Sequence, residues 1–94
     1  MEVTVKIRLI SEQDRKHENI LASASLTFKD DDGGYFTISG FTVWKSKDYK
    51  GLNVTVPENP RSKFKYMQME SGLGKKYKRM IMDAYEIENM PLVD

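Results

Sequence analysis

The chain has 94 residues, with 15 basic and 14 acidic side chains, so its length suits one domain and its formal net charge is +1. It contains no cysteine and a single histidine, which excludes disulfides, zinc–thiolate sites and any metal site that needs two histidines from one chain. Apolar residues make up 39% and charged residues 31%, a balance typical of a folded globular domain. We therefore predict a single domain over residues 1–94.

Two strands are predicted in the first third of the chain, because apolar and polar residues alternate strictly over residues 3–10 and again over residues 20–28. The wholly polar residues 11–18 between them are typical of a solvated loop. In the second strand the residues on the face opposite to the apolar side chains are small. Their size would allow another part of the protein or a ligand to pack closely on this face. These small residues are Ser23, Ser25 and Thr27.

A hairpin and two further strands are predicted next. Residues 29–34 combine aspartates with two glycines, which tolerate turn geometry and close a hairpin. The following strand spans residues 35–45, and its apolar residues change parity at Ser39-Gly40, which predicts a β-bulge. After a polar connection, a short strand is predicted over residues 51–56 and is stopped by Pro57.

The last part of the chain predicts a helix. Residues 61–70 fit either a short edge strand or an extended arm, whereas residues 73–88 change to helical spacing, with Ser71 as the cap and Pro91 just past the end. The predicted apolar face consists of Leu73, Tyr77, Met80, Ile81, Ala84 and Tyr85.

The predicted fold is α+β, a four- to five-stranded antiparallel meander sheet followed by one C-terminal amphipathic helix. Such a sheet leaves open edges, so we expect a homodimer that pairs or covers them. No apolar run is long enough for a signal peptide or a membrane helix, so we expect a cytoplasmic protein with no membrane partner.

The basic residues are concentrated in one part of the chain. Ten of the 15 lysines and arginines lie between Lys45 and Arg79, together with three of the 14 acidic residues. The densest group falls in the first turns of the predicted helix, where the helix dipole favours anions, and nucleic-acid phosphate is a common anion for clustered cations. A solvated polar helix face stays open as the alternative. The predicted phosphate contacts in this group are Lys75, Lys76, Lys78 and Arg79.

Residues 61–66 alternate basic and aromatic side chains. This arrangement suits the binding of single-stranded nucleic acid, because bases stack on aromatic rings while cations contact the phosphates. In the alternative, the two rings pack against the sheet or a second subunit and the lysines face water. The predicted nucleic-acid contacts are Arg61, Lys63 and Lys65, and the candidates for stacking are Phe64 and Tyr66.

No group of residues points to catalysis, so we predict no enzyme, no catalytic residue, no metal site, no cofactor and no small-molecule substrate. The glycines and lysines of residues 72–76 do not form a nucleotide P-loop, since Lys76 stands where that motif requires Ser or Thr. His17 lies in a polar loop that no sequence feature places in a pocket. Trp44 is interpreted as a core residue at a strand end, and an exposed stacking pair of Trp44 with Tyr49 stays open as the alternative.

Several short motifs occur in a specific order. The chain opens with Met-Glu-Val-Thr, residues 21–27 read Leu-Ala-Ser-Ala-Ser-Leu-Thr, and residues 51–57 read Gly-Leu-Asn-Val-Thr-Val-Pro. The predicted helix contains Gly74-Lys75 and Asp83-Ala84-Tyr85. With the strand from Phe36 to Val43, this series resembles the stage V sporulation protein G family, SpoVG, also called septation protein G, over most of the chain.

The resemblance implies a sheet-plus-helix fold, a homodimer and nucleic-acid binding without enzymatic activity. Members of the SpoVG family are bacterial regulators that bind DNA, in some cases RNA, and are linked to septation and sporulation. When the family's binding residues are carried over one by one, the resemblance implies that Arg61, Lys63 and Lys75 contact nucleic acid. It implies the same role for Lys78 and Arg79. The alternative function is a non-enzymatic protein-interaction module that uses an exposed sheet edge.

Overall fold

The computed structural model describes residues 1–46, 51–59, 61–62, 67 and 71–89, apart from the side chain of Ser71. The predictions for residues 47–50, 63–66 and Pro91 therefore lie outside the described residues. A single 3-10 turn at Glu12–Asp14 lies in the polar loop between the first two strands. The regular elements are β1 (Glu2–Leu9), β2 (Ile20–Lys29), β3 (Tyr35–Lys45), β4 (Leu52–Thr55) and α1 (Ser71–Glu88).

The four strands form one antiparallel sheet in the order β1-β2-β3-β4, followed by the helix, which confirms the α+β prediction. The register places the alternating apolar residues of successive strands on one face of the sheet. Val5 pairs with Leu26, and Leu26 pairs with Ile38. Helix α1 packs on that face. The opposite face carries the polar residues of each strand.

The core lies between the apolar sheet face and α1. Its largest fully buried side chains come from β2, β3 and α1, and they are Phe41, Leu26, Ile81 and Val43. At one end of the sheet, the Phe28 ring stacks on Phe36 with centroids 4.9 Å apart and meets the Tyr77 ring edge-on at 5.5 Å. Tyr77 thereby joins the first half of the helix to β2. In the described part of the chain, no helix combines the length and the apolar content needed to cross a membrane.

The predicted helix face needs one correction. Ile81 is fully buried and Tyr85 is 8% exposed, as expected, but Leu73 is 63% exposed. At 3.6 residues per turn, Leu73 lies about 80° around the helix from Ile81, so it falls beside the buried stripe. Gly74 takes the buried position instead. The helix also begins at Ser71 itself, and the capping role of the Ser71 side chain lies outside the described residues.

The hairpin between β2 and β3 confirms the predicted turn. The Asp30 amide donates to the Gly34 carbonyl at 2.8 Å, and the Asp30 carboxylate accepts the amides of Asp32 and Gly34 at 3.0 and 2.9 Å. Gly33 has φ +89°, a backbone conformation that L side chains rarely adopt. The Asp30 side chain therefore has a structural role in closing the turn.

The predicted β-bulge is also confirmed. Ala24 pairs with Phe41 while Ser25 pairs with Ser39, so Gly40 is the extra residue of β3, and its φ is +99°. A Cβ built on Gly40 would lie 3.2 Å from Pro57 Cβ. The bulge therefore needs glycine for two reasons, its backbone angle and the close approach of Pro57. A second irregularity places Ile20 opposite Trp44, out of step with the buried residues of β2.

These two reasons can be separated by substitution. We expect Gly40→Ala to lower the free energy of unfolding by about 2–3 kcal/mol, because it adds backbone strain and a contact with Pro57. Gly33→Ala is the matched control, since its φ is equally positive and a Cβ there meets no atom within 4 Å. The control should lose about 1 kcal/mol. Urea denaturation measures both values, and an equal loss in the two variants would contradict the role of the Pro57 contact.

Candidate nucleic-acid interface

Three of the four basic residues of α1 form one exposed group, which we call the helix cluster: Lys75, Lys76 and Arg79. All three side chains are exposed, on the side of the helix that faces away from the buried Ile81 and Tyr85. Lys75 and Arg79 are one turn apart, about 6 Å along the axis. Tyr77, between them in sequence, turns inward and fixes the helix against the aromatic residues of the sheet. The structure therefore brings three of the predicted phosphate contacts onto one solvent-facing surface.

Charges along α1 are arranged against the helix dipole. The first turn has no acidic residue and the last turn has no basic one. Cations occupy the N-terminal half, where the dipole is positive, and Asp83, Glu86 and Glu88 occupy the C-terminal half. The Arg79 Nε lies 3.4 Å from an Asp83 carboxylate oxygen, with both side chains largely exposed, so this ion pair contributes little to stability. An anion bound at the helix cluster would relieve the unfavourable arrangement.

Lys78 points away from the helix cluster. It is half-buried and lines a cavity of about 330 Å³ beside β4, together with Asn53, Thr55 and Glu58. The four cations predicted as one group are therefore split between two surfaces. Lys78 faces the β4 side of the molecule, next to a carboxylate.

Arg61 is the described part of the predicted arm. Its side chain is exposed, and its amide donates to the Asn59 side-chain oxygen at 2.9 Å, as does the Ser62 amide at 3.1 Å. This Asx turn orders the chain just after Pro57. Lys63, Phe64, Lys65 and Tyr66 lie outside the described residues, so their contacts stay predictions.

Trp44 lies in a setting that the sequence did not indicate. It is half-buried and lines a cavity of about 660 Å³ with His17, Asn19 and Asn53. The His17 and Trp44 rings meet edge-on with centroids 5.7 Å apart. No pocket could be predicted for His17 from the sequence. Its loop comes beside Trp44 only because β2 pairs with β3, and at this end of the strands Ile20 pairs with Trp44, more than 20 positions further along the chain.

The polar face of the sheet also carries cations that the sequence analysis did not single out. Lys6 and Arg8 are exposed on β1 and line a shallow depression of about 210 Å³ with Ser23, Ser25 and Ser39. Alternation along β1 contained the signal, since both cations fall at positions opposite to the apolar ones. They lie on the face of the sheet opposite to α1.

No match to this chain was found among family models, curated proteins or solved structures. The resemblance of the sequence motifs to the SpoVG family therefore stays a prediction. Among the described residues, no three acidic or histidine side chains are grouped so that they could hold a metal ion.

Proposed function

We propose that this protein is a dimeric, non-enzymatic nucleic-acid-binding regulator of the SpoVG type, which contacts DNA phosphates, and RNA phosphates, through the helix cluster. The observation that carries the proposal is the grouping of Lys75, Lys76 and Arg79 on one exposed surface in the N-terminal half of α1. Phosphates are the anions that such a surface fits best, because both the side chains and the helix dipole attract them.

The predicted arm extends the proposed interface. Arg61, exposed and ordered by Asn59, is the proposed start of a second set of phosphate contacts that continues with Lys63 and Lys65. Phe64 and Tyr66 are the proposed stacking partners of unpaired bases. Lys78 is assigned a lesser part, because it faces the cavity beside Glu58.

A homodimer is part of the proposal. Strands β1 and β4 are the edges of the four-stranded sheet, and unpaired edges favour association. Large apolar side chains are exposed where β3 begins and in the first turn of α1, and a second copy would cover them. Their exposed fractions are 73% for Tyr35, 55% for Phe36 and 63% for Leu73. Two copies would present two helix clusters, which raises affinity for a long polyanion.

The motifs in the sequence supply the biological context. Through their resemblance to the SpoVG family, we propose that the protein is cytoplasmic, is bacterial, and takes part in the transcriptional control of septation, cell division and sporulation. None of these roles requires a cofactor or a small-molecule substrate.

A protein-interaction module is the second candidate. It is favoured by the edge position of β1, where Leu9 is 45% exposed, because an extended peptide could add to this strand. In that case the helix cluster would only be solvated. Reversing the charge of the helix cluster should leave such an interaction intact and should abolish the binding of duplex DNA.

The proposal is tested by titrating labelled duplex DNA, single-stranded DNA and RNA with the protein, followed by fluorescence anisotropy at about 50 and 200 mM salt. If the dimer neutralises about six phosphates, the logarithm of the duplex association constant should fall with the logarithm of salt with a slope of roughly −5. A folded dimer that binds none of the three nucleic acids at the lower salt would overturn the proposal.

A further inference from the structure

Among the described elements, α1 packs on one face of the sheet, and the opposite face bears a row of polar side chains. Arg8 pairs with Ser23, Ser23 with Thr42, and Thr42 with Thr55, so these four residues form one line across all four strands. Three strand spacings separate Arg8 from Thr55, which is about 14 Å. A cation therefore stands at the β1 end of a path lined by small hydroxyl side chains.

The neighbouring row has the same character. Lys6 pairs with Ser25, and Ser25 pairs with Ser39. Lys6 and Arg8 line one depression with Ser23, Ser25 and Ser39, so the cations and the hydroxyl groups are adjacent. Hydroxyl groups and cations together are typical partners of phosphate and sugar oxygens, and the small side chains allow a backbone to approach the sheet closely.

The β4 end of the path is aromatic. The Trp44 indole N–H donates to the Thr55 hydroxyl at 2.8 Å, which fixes the ring at the end of the row that begins with Arg8. Trp44 lines a cavity of about 660 Å³ together with Asn19 and Asn53, whose side-chain amides carry both donors and acceptors.

His17 lines the same cavity, and a hydrogen bond to its ring fixes the ring's orientation. The His17 Nδ1 accepts a hydrogen bond from the backbone N–H of Asn19 at 3.1 Å. In the neutral ring the proton is therefore on Nε2. The cavity thus combines a fixed aromatic ring with polar groups of both kinds. A heterocyclic base stacked on Trp44 would meet these groups with its edge.

We propose that the face of the sheet opposite to α1 binds unpaired nucleic acid, with one base in the Trp44 cavity and the backbone crossing the strands toward Arg8 and Lys6. The inference rests on the proposed function for the class of ligand. It adds to the proposed arm a further surface for single strands, separated from the helix cluster by the thickness of the sheet. Open four-stranded sheets in other proteins hold about two or three bases in this way. A duplex does not fit, because its bases are not free to enter the cavity.

The fluorescence of Trp44 tests the proposal directly, since this is the single tryptophan of the chain. We expect the pentanucleotides of uridine and of deoxythymidine to quench its emission at low salt, and a paired duplex at equal phosphate concentration to leave it largely unchanged. The RNA and DNA arms show which sugar the face prefers. No quenching by either pentanucleotide, at concentrations where the helix cluster binds duplex, would overturn the inference and leave the proposed function standing.

Variants locate the contact. Arg8→Ala should weaken pentanucleotide binding about tenfold and reduce the magnitude of the salt slope by about 0.7. Trp44→Leu, followed with a labelled pentanucleotide, should weaken it by tenfold or more because stacking is lost. Thr55→Val, which frees the indole but keeps the cavity, should have a smaller effect on affinity and should reduce the quenching.

Lys29→Ala is the matched control. Lys29 lies on the same strand face as Ser23, about 20 Å away along β2, and its removal should leave pentanucleotide binding unchanged. Equal losses in Lys29→Ala and Arg8→Ala would overturn the proposed path. The double variant Lys75→Glu/Lys76→Glu should keep the quenching by pentanucleotides while losing duplex binding. If the wild-type protein binds neither ligand, the proposed function fails as well.

Discussion

Reversing Lys75 and Lys76 to glutamate is expected to weaken duplex binding by about 100-fold or more at low salt. Two charge-assisted phosphate contacts are lost from each protomer, each worth about 1.5–3 kcal/mol, and the new carboxylates repel the duplex. The magnitude of the salt slope should also fall by about 0.9 for each lost phosphate contact. Both side chains are exposed, so the fold should be retained. Anisotropy titration at the two salt concentrations measures both effects.

The matched control changes the total charge equally but at another place. Lys16→Glu/Lys29→Glu replaces two exposed lysines that lie outside α1. We expect this control to lower the affinity for duplex only a few-fold, through the long-range electrostatic field of the protein. The loss should disappear at the higher salt, where that field is screened. If the control loses as much affinity as the helix variant, then net charge and not the helix cluster governs binding.

The second large effect concerns the attachment of α1 to the sheet. Ile81→Ala should lower the free energy of unfolding by about 2–5 kcal/mol, because Ile81 is fully buried and the truncation leaves a cavity between helix and sheet. In a domain whose total stability is about 5–15 kcal/mol, that loss is a large fraction. Urea unfolding followed by circular dichroism is the measurement.

Ile87→Ala offers a control with the same chemistry on the same helix. Ile87 is 70% exposed, so its truncation should change the free energy of unfolding by no more than about 0.5 kcal/mol. Comparable losses at positions 81 and 87 would contradict the orientation of α1 on the sheet. The comparison matters for function because this orientation is what turns the helix cluster toward solvent.

Much of the fold follows from local patterns in the sequence. Alternation of apolar and polar residues places Val5, Leu26 and Val43 on the face that α1 covers. The register agrees, since Val5 pairs with Leu26 and Val43 pairs with the buried Ala22. The parity change in β3 locates the bulge at Gly40, because a bulge adds one residue and so reverses alternation. The turn at Asp30 is predictable for a similar reason, since the side chains that close it lie within the turn itself.

Other features depend on contacts that no local pattern encodes. The rotation of α1 is decided by its fit to the sheet, which buries the small Gly74 and leaves the larger, apolar Leu73 in solvent. The same fit turns Lys78 toward β4 and separates it from the other three cations of the helix. The Trp44 cavity needs the loop of His17 to meet a strand far along the chain.

The proposed interface is defined by the residues that a duplex touches. Amide chemical shifts of the uniformly ¹⁵N-labelled chain, recorded while a short DNA duplex is added, identify these residues one by one. We predict that the shifts concentrate in the N-terminal half of α1, from Gly72 to Arg79, while the acidic half around Glu86 changes little. Shifts confined to the β1 edge, or no shifts from a folded protein at low salt, would contradict it.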